Sequence, residues 1–286
     1  MTTDTVPTAE ATVPTVVPTA GATVTTQAPA FASPADHATY GHYARTPAYP
    51  FRGRVTADGS SGFRAEPGRY HVYAAWTCPY AQRVAIVRKL KGLEDVVTLS
   101  YVDDERDGRG WAFRAHRGPD PVNGFTLLGQ AYEATRPGYD GHLSVPVLWD
   151  RLTGRIVSNH FPDITIDLGT QFDAWARAGA DLYPVRLRPR IDELNAWIYA
   201  EVNTGASRAA LERLDALLGE HRFLTGDTIT EADVRLWVSL ARLEVFDLSE
   251  FEHLWGYARD LYRRPAFAET IEGLPDSWHQ PHRRDR

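Results

Sequence analysis

The chain has 286 residues, 43% of them hydrophobic and 11% aromatic, enough to bury two ordinary cores. A formal net charge of -6 gives no electrostatic reason to expect nucleic acid or an anionic membrane as partner, and no apolar run approaches the roughly 20 residues that span a bilayer. The single cysteine, Cys78, excludes an internal disulfide, so nothing relies on an oxidising compartment and a cytoplasmic protein is expected.

Residues 1–48 are rich in Thr, Pro, Ala and Val and lack helical or strand periodicity, which predicts a disordered tail. Residues 49–175 read as a mixed α/β unit. Tyr70 to Ala75 forms a short buried strand and runs straight into TCPYAQRVAIVRKLKG. Pro79 suits the first helical position, Tyr80, Val84 and Val87 recur at helical spacing, and Gly92 is the expected stop. A second strand at Val96 to Val102 makes the unit strand, crossover helix, strand, hence right-handed and parallel.

Asp103 to about His142 is rich in Gly, Pro and charge and reads as a long loop of the kind that borders a site. Ser144 to Asp150 and Arg155 to Ser158 predict an antiparallel pair of strands, followed by a helix from about Asn159. Val145-Pro146, at a strand entry, is the candidate cis peptide. Residues 176–270 carry helical patterns near 183–203, 206–220, 230–247 and 251–264, an all-helical second domain, with a capping box at Thr230 and Asp233. Residues 271–286 read as a polar tail in which His279 and His282 are surface histidines; no metal site is expected. The cations Arg83, Arg88, Lys89 and Lys91 read as a solvated helix face, and Trp197, Trp237, Trp255 and Tyr257 as core at helical spacing.

A cysteine before proline at a helix start meets free amides and the positive end of the helix dipole, which predicts a thiol shifted towards ionisation, opposed by any burial. Position 81 is Ala81, so there is no CxxC partner and a resolving thiol must come from a small molecule, by mixed-disulfide or thioether exchange.

Four ordered motifs, GRYHVYAAWTCPYAQRVAIVRKLKGLEDV from Gly68, SVPVLWD, IVSN and TEADVRLW, resemble the glutathionyl-hydroquinone reductases, the xi class of the glutathione transferases, from about Phe51 to about Thr270. The resemblance implies a thioredoxin-like domain before a helical domain, a homodimer, and no bound cofactor beyond a low-molecular-weight thiol as co-substrate. It also implies that Cys78 attacks the sulfur of a thiol-quinol conjugate, forms a mixed disulfide and is released by a second thiol. By the same matching, Trp111 lies against the bound thiol and the backbone of Val145 beside Pro146 pairs with its peptide. The family's Cys-Pro-Trp-Ala-His-Arg reads here Cys78, Pro79, Tyr80, Ala81, Gln82, Arg83. Its arginine for a glutathione carboxylate is replaced by His142, and its Glu-Ser pair for the γ-glutamyl end by His160 and Phe161. Each loss is expected to weaken glutathione by about 1–3 kcal/mol. The arginine-heavy, lysine-poor composition and the aromatic pocket then point to another thiol, such as mycothiol. Tyr183, Tyr199 and Trp237 are candidates for the acceptor pocket. A conjugating transferase and a non-catalytic scaffold are the alternative functions.

Overall fold

A computed structural model describes residues 30–279; the expectations for residues 1–29 and for the tail beyond His279, His282 included, lie outside the described residues. Helix α1 (His37–Tyr40) and the short paired strands β1 (Val55–Thr56) and β2 (Phe63–Arg64) precede the main sheet. Strand β3 (Tyr70–Ala74) is buried at every position. It pairs parallel with β4 (Val97–Tyr101) and antiparallel with β5 (Val147–Asp150), which pairs antiparallel with β6 (Arg155–Ser158), giving the order β4-β3-β5-β6. Helix α2 (Pro79–Leu90) is the crossover between β3 and β4, and Gly92 at φ 62° turns the chain out of it, as the sequence predicts.

The stretch read as one long loop contains helix α3 (Gly129–Thr135). It spans 7 residues with no side-chain cap, too short to show a period. Helix α4 (Phe161–Thr170) follows β6. The second domain is helical: α5 (Arg188–Ile198), which runs into a wider turn at Tyr199–Asn203, then α6 (Arg208–Glu220), α7 (Glu231–Leu240), α8 (Glu252–Tyr262) and α9 (Pro265–Ala268). The fold is therefore a thioredoxin-like α/β domain followed by an all-α domain. Among the described residues no helix is long and apolar enough to cross a membrane.

Two expectations are corrected. The cations at and just after α2 are not a solvated face: the second domain packs over Arg83, and the segment leading into that domain covers Lys91. Arg83 is 2% exposed and donates to Asn203 Oδ1 at 3.3 Å, Ser239 Oγ at 3.2 Å and the Arg235 carbonyl at 3.4 Å. Lys91, 3% exposed, donates to Asp173 Oδ1 at 2.6 Å and the Ala180 carbonyl at 2.8 Å. Residues 30–48 are likewise no formless tail but a strap over the Asp103–His142 stretch. Arg109 donates to Ser33 Oγ at 2.7 Å and the Pro34 carbonyl at 2.8 Å, Arg114 donates to the Ser33 carbonyl at 2.9 Å, and the Asp36 amide donates to Asp107 Oδ2 at 3.0 Å. Gly108 is where the two segments touch: a Cβ there would lie 1.9 Å from the Tyr40 carbonyl oxygen. These are long-range contacts that no local pattern in residues 30–48 announces.

The capping box forms at the head of α7 and does more than cap. Asp233, fully buried, accepts from the Thr230 amide at 2.8 Å, the Leu224 amide at 2.9 Å and the Tyr257 hydroxyl at 3.1 Å, tying three segments together. Asp233→Ala should cost about 3 kcal/mol or more by urea denaturation, since it orphans several buried donors at once, whereas Thr230→Ala should cost about 1 kcal/mol. Equal losses would mean that the carboxylate acts only as a cap.

Candidate active site

Cys78 sits just before α2 in extended conformation, φ -93° and ψ 113°, which aims its sulfur at the free amides of Tyr80 and Ala81. Pro79 is the first residue of the helix and gives up no hydrogen bond there. Half-buried, the Cys78 thiol donates to the Val145 carbonyl at 3.4 Å, and Val145-Pro146 is cis. Burial pushes the thiol above its ordinary value; the two amides, Arg242 and Arg83 pull it down without cancelling that rise. The expected shift towards ionisation is therefore reversed, because loss of solvent outweighs the helix end. Arg242 is fixed nearby by donating to Gln82 Oε1 at 2.9 Å and to the Trp76 carbonyl at 3.0 Å.

On one flank of this turn lies a cavity of about 560 Å³ lined by the backbone segment Val145-Pro146 together with Tyr49, Tyr80, His160, Phe161 and Tyr199. Tyr80 and Phe161 stack at 4.9 Å between ring centres, and the Arg83 and Arg235 guanidiniums lie over Phe161 at 5.2 and 5.1 Å. His160 Nδ1 lies 3.0 Å from Asp163 Oδ2. Burial outweighs that carboxylate and holds the imidazole below its ordinary value, hence neutral at pH 7. The wall from the second domain contributes Asn195, 5% exposed, whose amide nitrogen donates to Glu231 Oε2 at 2.5 Å while its Oδ1 has no hydrogen-bond partner.

The other flank holds Trp111 and His142. The Arg106 guanidinium lies between two rings, 4.0 Å from the centre of Tyr43 and 4.7 Å from that of Trp111. The Tyr43 hydroxyl accepts from the Leu143 amide at 2.5 Å and is hydrogen-bonded to His142 Nδ1 at 3.3 Å. Tyr49 spans the two flanks, its ring 6.1 Å from His142 and 6.4 Å from His160.

The sequence-predicted residues Tyr80, Val145, Pro146, His160, Phe161 and Tyr199 are thus brought to one cavity, with Trp111 and His142 beside it. Tyr183 reaches the cavity only through its hydrogen bond to Asp192, at 2.8 Å. Trp237 is a correction: it is fully buried, donates its indole N–H to the Ala258 carbonyl at 2.9 Å and packs on Phe267 and Trp278, so it is core and lines no acceptor pocket. Tyr49, Arg106, Asn195 and Arg235 carried no signal in the sequence; a ring or guanidinium far along the chain declares itself only when the fold closes. A second, larger cavity of about 960 Å³ opens beyond Trp76 and Thr77, between Arg117, Arg242, Trp255 and Trp278.

Family models agree with this architecture. Residues 77–170 match the glutathione S-transferase N-terminal domain and residues 195–264 match the glutathione S-transferase C-terminal domain. The chain is 38% identical over 276 residues to glutathionyl-hydroquinone reductase YqjG of Escherichia coli K12, covering 82% of each protein. It is 36% identical over 222 residues to glutathionyl-hydroquinone reductase PcpF of Sphingobium chlorophenolicum, covering 71% of this chain and 70% of that one. The glutathione-bound structure of YqjG superposes with a TM-score of 0.75 at 35% identity, covering 82% of this chain and 96% of that one. A xi-class transferase from Natrialba magadii superposes with a TM-score of 0.76 at 31% identity, covering 82% and 90%. Motifs, fold and relatives agree, and the chain belongs to the glutathione transferases as an enzyme of their xi class, the glutathionyl-hydroquinone reductases.

Proposed function

We propose that this enzyme removes a low-molecular-weight thiol from an aromatic S-conjugate, a quinol conjugate in the first instance, through a mixed disulfide on Cys78. The observation that carries the reading is the Cys78 sulfur at the head of α2, 3.4 Å from the Val145 carbonyl and next to an aromatic-walled cavity. The Cys78 thiolate attacks the conjugate's sulfur; an S–S bond forms, the carbon–sulfur bond breaks, and its electron pair passes to the ring carbon, which takes a proton. A second thiol attacks the mixed disulfide, frees Cys78 and leaves as a disulfide. The ring is reduced by two electrons, and the conjugate's sulfur and that of the second thiol are oxidised by one electron each as they join in the disulfide. Burial pushes the Tyr49 and Tyr80 phenols above their ordinary value, so both stay protonated at neutral pH and can donate to a quinol oxygen, with Tyr199 at the rim of the same cavity.

For the thiol we favour glutathione. YqjG is a glutathionyl-hydroquinone reductase with a glutathione-bound structure. The substitution at His142 weighs less towards mycothiol, because Arg106 supplies a cation on that flank. A conjugating transferase is the second reading, favoured by the upward push on the Cys78 thiol, since such an enzyme needs no covalent capture.

Intact-mass analysis after incubation with glutathione disulfide or mycothiol disulfide should give a wild-type adduct with the first and none in Cys78→Ser, which should also lose turnover of a glutathionyl-hydroquinone. Retained turnover in Cys78→Ser would establish the conjugating reading. Alkylation of the free protein by iodoacetamide should rise with pH and reach half-maximum above the ordinary thiol value, because the folded protein holds the proton more tightly. Arg242→Gln should move that midpoint higher still by removing a cation that favours the thiolate; a midpoint below the ordinary value would contradict the balance described above.

A further inference from the structure

The stretch after β4 is dense in charge, and nearly every guanidinium in it is engaged. Arg109 pairs with Asp107 at 2.7 Å, Arg114 donates to the Glu105 carbonyl at 2.8 Å, and Arg117 pairs with Asp104 at 2.6 Å. Glu105 faces His37 at 3.4 Å. Arg106 stands apart: although acids flank it in sequence, among the described residues it makes no ion pair or hydrogen bond, and only the Tyr43 and Trp111 rings hold it. A cation clamped between two ring faces is positioned but not neutralised, and its N–H groups remain available to an anion.

The surroundings point to which anion. Arg106 is within electrostatic reach of Cys78, and after burial it is the charge that holds His142 below its ordinary value, so at pH 7 the imidazole is neutral and the positive charge here comes from Arg106 and from the exposed Arg45 near Tyr43. The Trp111 indole N–H beneath it, on a side chain that is 9% exposed, also lacks a hydrogen-bond partner. An unpaired, half-desolvated guanidinium is costly unless a ligand completes it. We propose that Arg106 is the anchor for a free carboxylate of the thiol substrate, the glycyl carboxylate of glutathione, and so selects acidic thiols over uncharged sugar-bearing ones. The proposal rests on the glutathione reading given above: with Cys78 fixing the sulfur and Val145 the peptide, the γ-glutamyl end lies towards His160 and the glycyl end towards Arg106.

The test uses S-methylglutathione, which cannot form a disulfide, and its glycyl monoethyl ester, titrated calorimetrically into wild type, Arg106→Met and Arg106→Lys. Arg106→Met keeps an unbranched chain between the rings and removes only the charge. Wild type should prefer the free acid by about tenfold or more, the value of a charge-assisted hydrogen bond. Arg106→Met should lose that preference while binding the ester as wild type does, and Arg106→Lys should keep part of it. Equal binding of S-methylglutathione by wild type and Arg106→Met overturns the role of Arg106 and leaves the glutathione reading standing. Failure of wild type to bind either ligand overturns that reading, and this proposal with it.

Discussion

Arg83 is the residue on which the arrangement of the two domains turns. Its guanidinium is buried between α2 and the second domain and its pKa is lowered to about 10 by that burial, so it is still charged at neutral pH; its Nη2 is bonded while its Nε has no hydrogen-bond partner. Asn203, Ser239 and the Arg235 carbonyl take its hydrogen bonds. Glu231, 1% exposed, supplies the compensating charge and also accepts from Thr165 at 3.0 Å, Arg235 at 2.7 Å and Asn195 at 2.5 Å. One buried ionic cluster therefore joins α2, α4, α5 and α7. Because Cys78 is the residue before α2, the cluster that fixes α2 also fixes where the Cys78 backbone lies.

The same geometry sets the chemistry of the thiol. A helix start offers a thiolate two amides and a favourable dipole, and Arg242 and Arg83 add positive charge, yet desolvation wins. The neutral thiol then has a definite partner in the Val145 carbonyl, the backbone group adjoining the cis proline. A neutral, hydrogen-bonded thiol is a weaker nucleophile than a thiolate, and that slows its oxidation.

What the sequence disclosed follows the range of the forces involved. The Cys-Pro helix start, the parallel β3-α2-β4 crossover, the proline at the entry to β5 and the capping box at Thr230 are local rules acting over a few residues, and each is present. Trp237 and Tyr199 show helical spacing alike, and only tertiary burial separates the core indole from the cavity phenol. Arg83 and Lys91 read as surface because a cationic helix face normally is; the groups that bury them lie more than a hundred residues away for Arg83 and more than eighty for Lys91. The change from the family arginine to His142 is visible in the sequence, whereas the guanidinium of Arg106 beside it is not, since it arrives from another segment and stacks on Tyr43 from a third.

Tyr43 and Tyr49 belong to a part of the chain that enters neither the sheet nor the helical domain and precedes residue 77, where the family's recognisable domain begins. Packing of the two cores places few demands on that strap. The tyrosines at the mouth of the site therefore come from chain that lies ahead of the sheet and is held largely by polar contacts, while the walls behind them come from the two cores, so the two can vary in sequence under different constraints.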